Sequence, residues 1–318
     1  MTDYLLEEYA RLGYSAKRTV KGGVIAEIGG EGDPILTMAH VDTLGAVVAE
    51  IKSNGRLRLS PVGGFNANNA EAHNCRVYTY DGQIYEGTIQ LADASLHVNK
   101  EYSTTQRTFQ SVEVVLDEPV TSKDDVKALG ITNGCFVCAD PNLVVTNSGY
   151  IKSRFLDDKL SAAILLGYAK YIRENNITPL RKVYQHMTVF EEVGHGACAS
   201  IPEDVTELLS VDMGCVGDGL ECTERQVSIC AKDGHGPYNY QVTTGLVNAA
   251  KKDSIDYAVD IYPFYGSDAD AALSAGKDAR HGLIGAGVYA SHGYERSHKD
   301  GVVNTFRLLC SYLNGNAP

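Results

Sequence analysis

FLDDKLSAAILLGYAKYIRENNITPLRKVYQHMTVFEEVG, residues 155–194, opens on an acidic pair and closes an apolar run on a second acidic pair. Leu160, Ala163, Ile164, Gly167, Tyr168, Tyr171 and Ile172 recur at helical spacing, which predicts a helix packed directly behind Asp157 and Asp158. The run VYQHMTVF is short and apolar and predicts a strand ending at Glu191 and Glu192. Outward from this stretch the alternation continues. ILTMA runs into His40 and ELLSV into Asp212; helical NYQVTTGLVNAAKK, strand-like SIDYAVDIY, a short helix around DADAALSAG and a closing helix in VVNTFRLLCSYL follow. Strands alternating with helices predict an α/β fold with a mainly parallel sheet flanked by helices.

Residues 46–146 read differently. RVYTYDGQIYEGTI and SVEVVLD are short β-rich runs punctuated by GG, DG, NG and DEP, and only the stretch near KDDVKALG is helical in pattern. They predict an inserted β domain, with a discontinuous α/β domain formed by 1–45 and 147–318.

Five segments carry metal-ligand side chains: His40 and Asp42 in AHVDT, Asp157 and Asp158 in FLDDK, Glu191 and Glu192 in VFEEVG, Asp212 in SVDMG, and His298 in YERSHKD. Two divalent ions about 3.5–4 Å apart need a shared carboxylate plus terminal oxygen and nitrogen ligands, and this inventory supplies them. A His followed two residues later by Asp on a strand puts both side chains on one face, so Asp42 can orient the His40 imidazole. In a Glu-Glu pair at a strand end the side chains diverge, so one can bind metal while its neighbour acts as general base. Each such pair alone is commonplace, a surface hydrogen bond or a solvated face. Here three of the segments sit where an apolar strand ends, which is where open α/β sheets place their ligand sites.

These residues, together with LRLSPVGGF, AKDGHGPYNY, GSDADAA and ASHGYERSHKDGVVNT, resemble the tetrahedral or glutamyl-type aminopeptidases, a family with a co-catalytic metal pair, some of whose members once carried endoglucanase names. The resemblance spans nearly the whole chain. It implies that His40, Asp157 and Asp212 hold one metal and that Asp157, Glu192 and His298 hold the other, with Asp157 as the bridge. It further implies Glu191 as general base, Asp42 as orienter of His40, and a cis peptide between Asp157 and Asp158. Two divalent ions per subunit are expected, zinc first, with cobalt or manganese as alternatives. The family's insertion is a small β-barrel used for subunit contacts, which implies a homo-oligomer between a dimer and a twelve-subunit cage acting on short peptides. The chain departs from the usual family pattern in EEVGHGA, one residue shorter, and at Lys159 and Ser161, where Arg and Gly are more usual. An amidase or deacylase of modified amino acids or dipeptides on the same scaffold is the alternative, and a glycosidase using paired carboxylates the more distant one.

Composition narrows the setting. Lys and Arg number 28 against 40 Asp and Glu, a net charge of −12 that opposes binding to nucleic acid or an anionic membrane. No apolar run is long enough to span a bilayer, and MTDYLLEEYA lacks the regions of a signal peptide, so a cytoplasmic enzyme is expected. Eight scattered cysteines read as reduced thiols, with Cys135 and Cys138 lining a strand. His186 is expected to be a satisfied core histidine, and the GAG of LIGAGVY a tight turn at a strand end. His195, His235 and His292 lie near the signature segments, but their spacing assigns them no role.

Overall fold

The computed structural model describes residues 1–318, which divide into two compact units. The first comprises 1–43, 143–291 and 295–318; the second comprises 44–142 and 292–294. In sequence, α1 (Thr2–Arg11), β1 (Ala16–Arg18), β2 (Val24–Gly29) and β3 (Ile35–His40) open the first unit. The second contains β4 (Gly45–Ile51), β5 (Leu57–Val62), β6 (His73–Tyr78), β7 (Ile84–Leu91), β8 (Val112–Leu116), α2 (Lys123–Ala128) and β9 (Phe136–Ala139). The chain then returns through β10 (Val144–Val145), β11 (Tyr150–Ser153), α3 (Leu156–Glu174), β12 (Val183–Thr188), β13 (Glu207–Val211) and β14 (Gly214–Val216). It closes with β15 (Val227–Lys232), α4 (Tyr240–Lys252), β16 (Tyr257–Ile261), α5 (Asp268–Ser274), β17 (Arg280–Tyr289), β18 (Glu295–His298) and α6 (Lys299–Asn314).

At the heart of the first unit β12, β3, β13 and β17 lie side by side and parallel. Both faces of this quartet are covered, which is why all six residues of β3 are buried and its pattern is continuous rather than alternating. One face packs Tyr9 of α1, Leu165 and Tyr168 of α3, Leu246 of α4 and Leu308 and Leu309 of α6. The other packs Ala269 and Ala272 of α5 against Leu36, Met38 and Leu208. The flanking strands are antiparallel, β2 against β12 and β15 against β17, so the sheet is mixed around a parallel centre. The buried Gln185 is paired at both ends, accepting from Tyr9 Oη at 2.7 Å and donating to Leu165 O at 2.8 Å.

The helix behind the aspartates is present, turned by about one residue from the expected face. Leu165 and Ala169 are buried while Ala163 is exposed. LIGAGVY is no turn: it is the interior of β17, the longest strand. Its glycines serve close approach, because a Cβ on Gly285 would lie 1.8 Å from Asp212 O and one on Gly287 would lie 2.1 Å from Thr223 O. His186 is 1% exposed, yet its Nδ1 has no hydrogen-bond partner, and burial pushes the imidazole down to about 4. It is a core histidine, but not the satisfied one expected from the sequence. All eight cysteines are free thiols, and no helix is long and apolar enough to cross a membrane.

The second unit is a closed barrel in the order β4-β5-β8-β7-β6-β9. Val48, Leu57, Leu59, Val77, Ile89, Val114 and Val137 fill it. Its wall is braced by Glu113, 2% exposed, which Lys52 and Arg56 both approach to 2.6 Å.

Candidate metal centre

Parallel strands end at the same edge, and three of the expected residues collect there. His40 is the last residue of β3, Asp212 follows β13 by one, and Glu191–Val193 form a 3-10 turn three residues beyond the end of β12. The fourth contribution comes from the start of α3. Phe155 adopts φ 65°, turning the chain so that Asp157 and Asp158 enter with non-helical backbone angles, and the peptide between them is cis. His40 Nε2 lies 2.9 Å from Asp157 Oδ1 and 3.8 Å from Glu191 Oε2. The ligand atoms of His40, Asp157 and Asp212 all fall within 4.8 Å of one another, and all three residues are buried.

Asp42 does more than the His-x-Asp spacing indicates. Its Oδ1 is 3.5 Å from His40 Nδ1, and its two oxygens also accept the backbone N–H groups of Glu191 and Glu192, each at 3.3 Å. One carboxylate therefore ties the His40 ring to the turn carrying the glutamate pair. Asp158 works similarly from below: its Oδ2 accepts from His40 N at 3.1 Å, while its Oδ1 is buried with no hydrogen-bond partner. Lys159, where the resembling family more often has Arg, donates from Nζ to Val41 O at 3.0 Å, pinning the residue between His40 and Asp42.

The electrostatics of this group call for a cation. Burial, reinforced by neighbouring carboxylates, pushes Asp212 up to about 7 and holds Asp158 and Glu191 well above the usual carboxylate range. Burial opposes a charged His40, but hydrogen bonds to Asp157 and Asp42 outweigh it and raise the imidazole well above its ordinary value. In both cases a proton is being retained where positive charge is wanted, and a divalent ion supplies that charge without a proton. One imidazole nitrogen with carboxylate oxygens is a donor set that zinc, cobalt and manganese accept. His40, Asp157 and Asp212 could hold such an ion.

His298 is not brought to this group. It ends β18 and caps α6, where its Nδ1 accepts from Asp300 N at 3.0 Å. Its Nε2 donates to Ser148 O at 2.8 Å, and the ring stands edge-on to Tyr150. Both nitrogens are committed to folding the strand-to-helix junction. Two buried acids that the sequence reading left without a role do approach the centre. Asp268, 2% exposed at the start of α5, accepts from Thr188 Oγ1, and its Oδ1 faces Gly196, where a Cβ would lie 1.8 Å away. Glu295, 2% exposed, accepts from Asp157 N at 3.1 Å. GSDADAA and YERSHKD stand among the segments that resemble the family, but nothing in their spacing points these carboxylates at residues far off in the chain.

Asp233, His235 and Asp270 form another group within ligand distance. Its oxygens serve folding: Asp233 accepts from His235 N, Gly236 N and Tyr238 Oη, and Asp270 completes the capping box of α5 with Ser267.

Comparison with known proteins agrees with this fold. The protein YhfE of Bacillus subtilis strain 168, whose name assigns it as an aminopeptidase, is 46% identical over 298 residues, covering 93% of this chain and 86% of YhfE. An aminopeptidase of the archaeon Desulfurococcus kamchatkensis superposes with a TM-score of 0.85 at 21% identity, covering 100% of this chain and 89% of that one. The TET1 peptidase of Pyrococcus horikoshii does so at 0.83 and 22%, covering 96% and 91%. The model of the M42 glutamyl aminopeptidases matches residues 22–308, and the chain belongs to that family of metal-dependent aminopeptidases.

Proposed function

We propose that the chain removes N-terminal residues from short peptides with two divalent ions, zinc first among them, and that His40, Asp157 and Asp212 hold one ion while Asp157 and Glu192 contribute to the other. The observation that carries this reading is the convergence of His40, Asp157 and Asp212 within 4.8 Å at the carboxyl edge of the parallel strands. Bound ions of this kind supply Lewis acidity and lower the pKa of water at the site.

The chain's own groups do the rest. Glu191, half-buried and 3.8 Å from the His40 ring, takes a proton from the attacking water at its carboxylate and returns it to the leaving amine. Asp42 holds the His40 ring and the turn carrying Glu191 in one frame, so the base cannot drift from the metal ligand it must work beside.

The barrel supports a homo-oligomer. Register places Phe136, Tyr78 and Ile84 in a row across β9, β6 and β7, and all three side chains are exposed. Such a row on a closed barrel fits a subunit contact. The Pyrococcus horikoshii relative is described as assembling into a tetrahedron or a large octahedral shell. We place the chain in the cytoplasm, given its free thiols.

Metal content by elemental analysis, read beside hydrolysis of aminoacyl p-nitroanilides, tests the reading. Two ions per chain with chelator-sensitive release of the N-terminal residue is the expected result. Hydrolysis that persists after complete metal removal would overturn it.

A further inference from the structure

We infer that Glu295 is the positioning residue of the metal centre: by accepting the Asp157 backbone N–H it sets where the Asp157 carboxylate points. The inference rests on the proposed role of Asp157 as a metal ligand. Four observations support it. Glu295 is 2% exposed, and its Oε2 lies 3.1 Å from Asp157 N. The first N–H groups of a helix have no partner within the helix, and Phe155, which begins α3, provides no side-chain cap. The acceptor is instead imported from β18, well over a hundred residues away in sequence. Finally, the β11–β18 ladder sets Ser153 directly opposite Glu295, so the turn through Arg154 and Phe155 delivers Asp157 to a carboxylate already fixed in the sheet.

Arg154 explains why this acceptor is charged. It is 3% exposed; its burial disfavours the guanidinium, and the Glu295 charge offsets that cost. Glu295 thus serves a buried cation on one side and the Asp157 peptide on the other. Among the contacts that hold Asp157, its N–H meets Glu295 and its Oδ1 the His40 ring. The N–H contact matters because α3 begins with irregular backbone angles at Asp157 and Asp158 that no helical ladder enforces. Partners of this kind typically account for 10- to 100-fold in metal affinity.

Two conservative substitutions separate positioning from charge and from simple helix capping. Glu295→Gln keeps an acceptor oxygen at the same reach and discards the charge. Glu295→Asp keeps the charge and withdraws the acceptor by one methylene. Each protein, stripped with chelator, is titrated with Co²⁺ while its visible absorption is followed, and its metal-free melting temperature is recorded. The expected result is that Glu295→Asp binds Co²⁺ roughly 10-fold or more weakly, and with an altered spectrum, while Glu295→Gln stays within about threefold of the parent. The metal-free melting temperature should move little in Glu295→Asp, whereas Glu295→Gln should lower it by leaving the buried Arg154 without its counter-charge. Weakening confined to Glu295→Gln would mean that Glu295 acts through its charge, and equal weakening in both variants would mean that the reach of the acceptor is not what matters; either result would overturn the inference. So would parent-like affinity in Glu295→Asp, or a loss of metal-free stability large enough to account for the weakened binding. Should the unsubstituted protein take up no Co²⁺, the metal-centre reading itself fails, and that result is distinguishable from all of these.

Discussion

Glu191 is tested most directly by a substitution that keeps its shape. Glutamine preserves the turn, because the N–H groups accepted by Asp42 belong to the backbone, and it removes only the proton-accepting oxygen. Glu191→Gln should retain the full metal content of the parent while kcat falls by about 10² to 10⁴, the usual worth of a general base. Elemental analysis beside steady-state kinetics decides the point, and a metal-loaded variant with parent-like turnover would remove Glu191 from the mechanism. A second residue-scale prediction concerns His186, whose buried imidazole lies at about 4 against an ordinary 6.5. Between those values the unfolded chain binds the proton and the folded chain does not. Stability from this residue is therefore complete above pH 6.5 and is lost as pH falls toward 4, by about 3 kcal/mol in all. His186→Leu should flatten the pH dependence of guanidinium unfolding over that window relative to the parent, and parallel curves would rule the assignment out. The same histidine shows where residue-level reading stops. Burial could be inferred from its place in an apolar run, whereas the missing partner at Nδ1 depends on which groups the neighbouring strands present.

At the scale of elements, the strands whose ends carry acids were legible because an apolar run halting at a charged pair is a local pattern. β17 was not. Buried on both faces and interrupted by Gly282, Gly285 and Gly287, it shows no alternation, and its glycines read as a turn. In the structure Gly285 lets the backbones of β17 and the Asp212 segment nearly touch, and Gly287 does the same at Thr223. Gly285→Ala would force a methyl to within 1.8 Å of Asp212 O, so the strand or the Asp212 peptide must move. The expected cost is roughly 3 kcal/mol or more, the range reserved for overpacking and backbone clashes, with weakened metal binding alongside. Ala286→Gly in the same strand adds no atoms and should cost about 1 kcal/mol. Chemical denaturation of the two variants makes the comparison, and equal costs would show that close approach is not what Gly285 provides. The junction between β18 and α6 shows the complementary limit. ASHGYERSHKD offers two histidines, and spacing cannot reveal that His298 is taken up as a helix cap.

Across the whole molecule, the net charge of −12 and the buried carboxylates at one edge of the sheet pull in one direction: without positive counter-charge the folded state works against its own repulsion. Removing metal should lower the melting temperature, and adding it back should raise stability by about 2.7 kcal/mol at a free concentration one hundred times Kd. The barrel presents the opposite problem, an apolar surface in need of cover. Closing the sheet leaves no free strand edge to explain Phe136, Tyr78 and Ile84, which stand exposed in register across three strands. A charge placed in that row would leave the barrel interior untouched, since Val77, Val137 and Ile89 point inward. Phe136→Glu combined with Ile84→Lys should therefore fold and bind metal as the parent does, yet elute as a smaller particle. Light scattering coupled to gel filtration reports the mass, and a ladder of peptides of increasing length reports access. If assembly encloses the site, the parent should prefer the shortest peptides and the charged variant should lose that preference while keeping its rate on a tripeptide. A parent already monomeric, or a variant of unchanged mass, would mean that this face of the barrel does not join subunits.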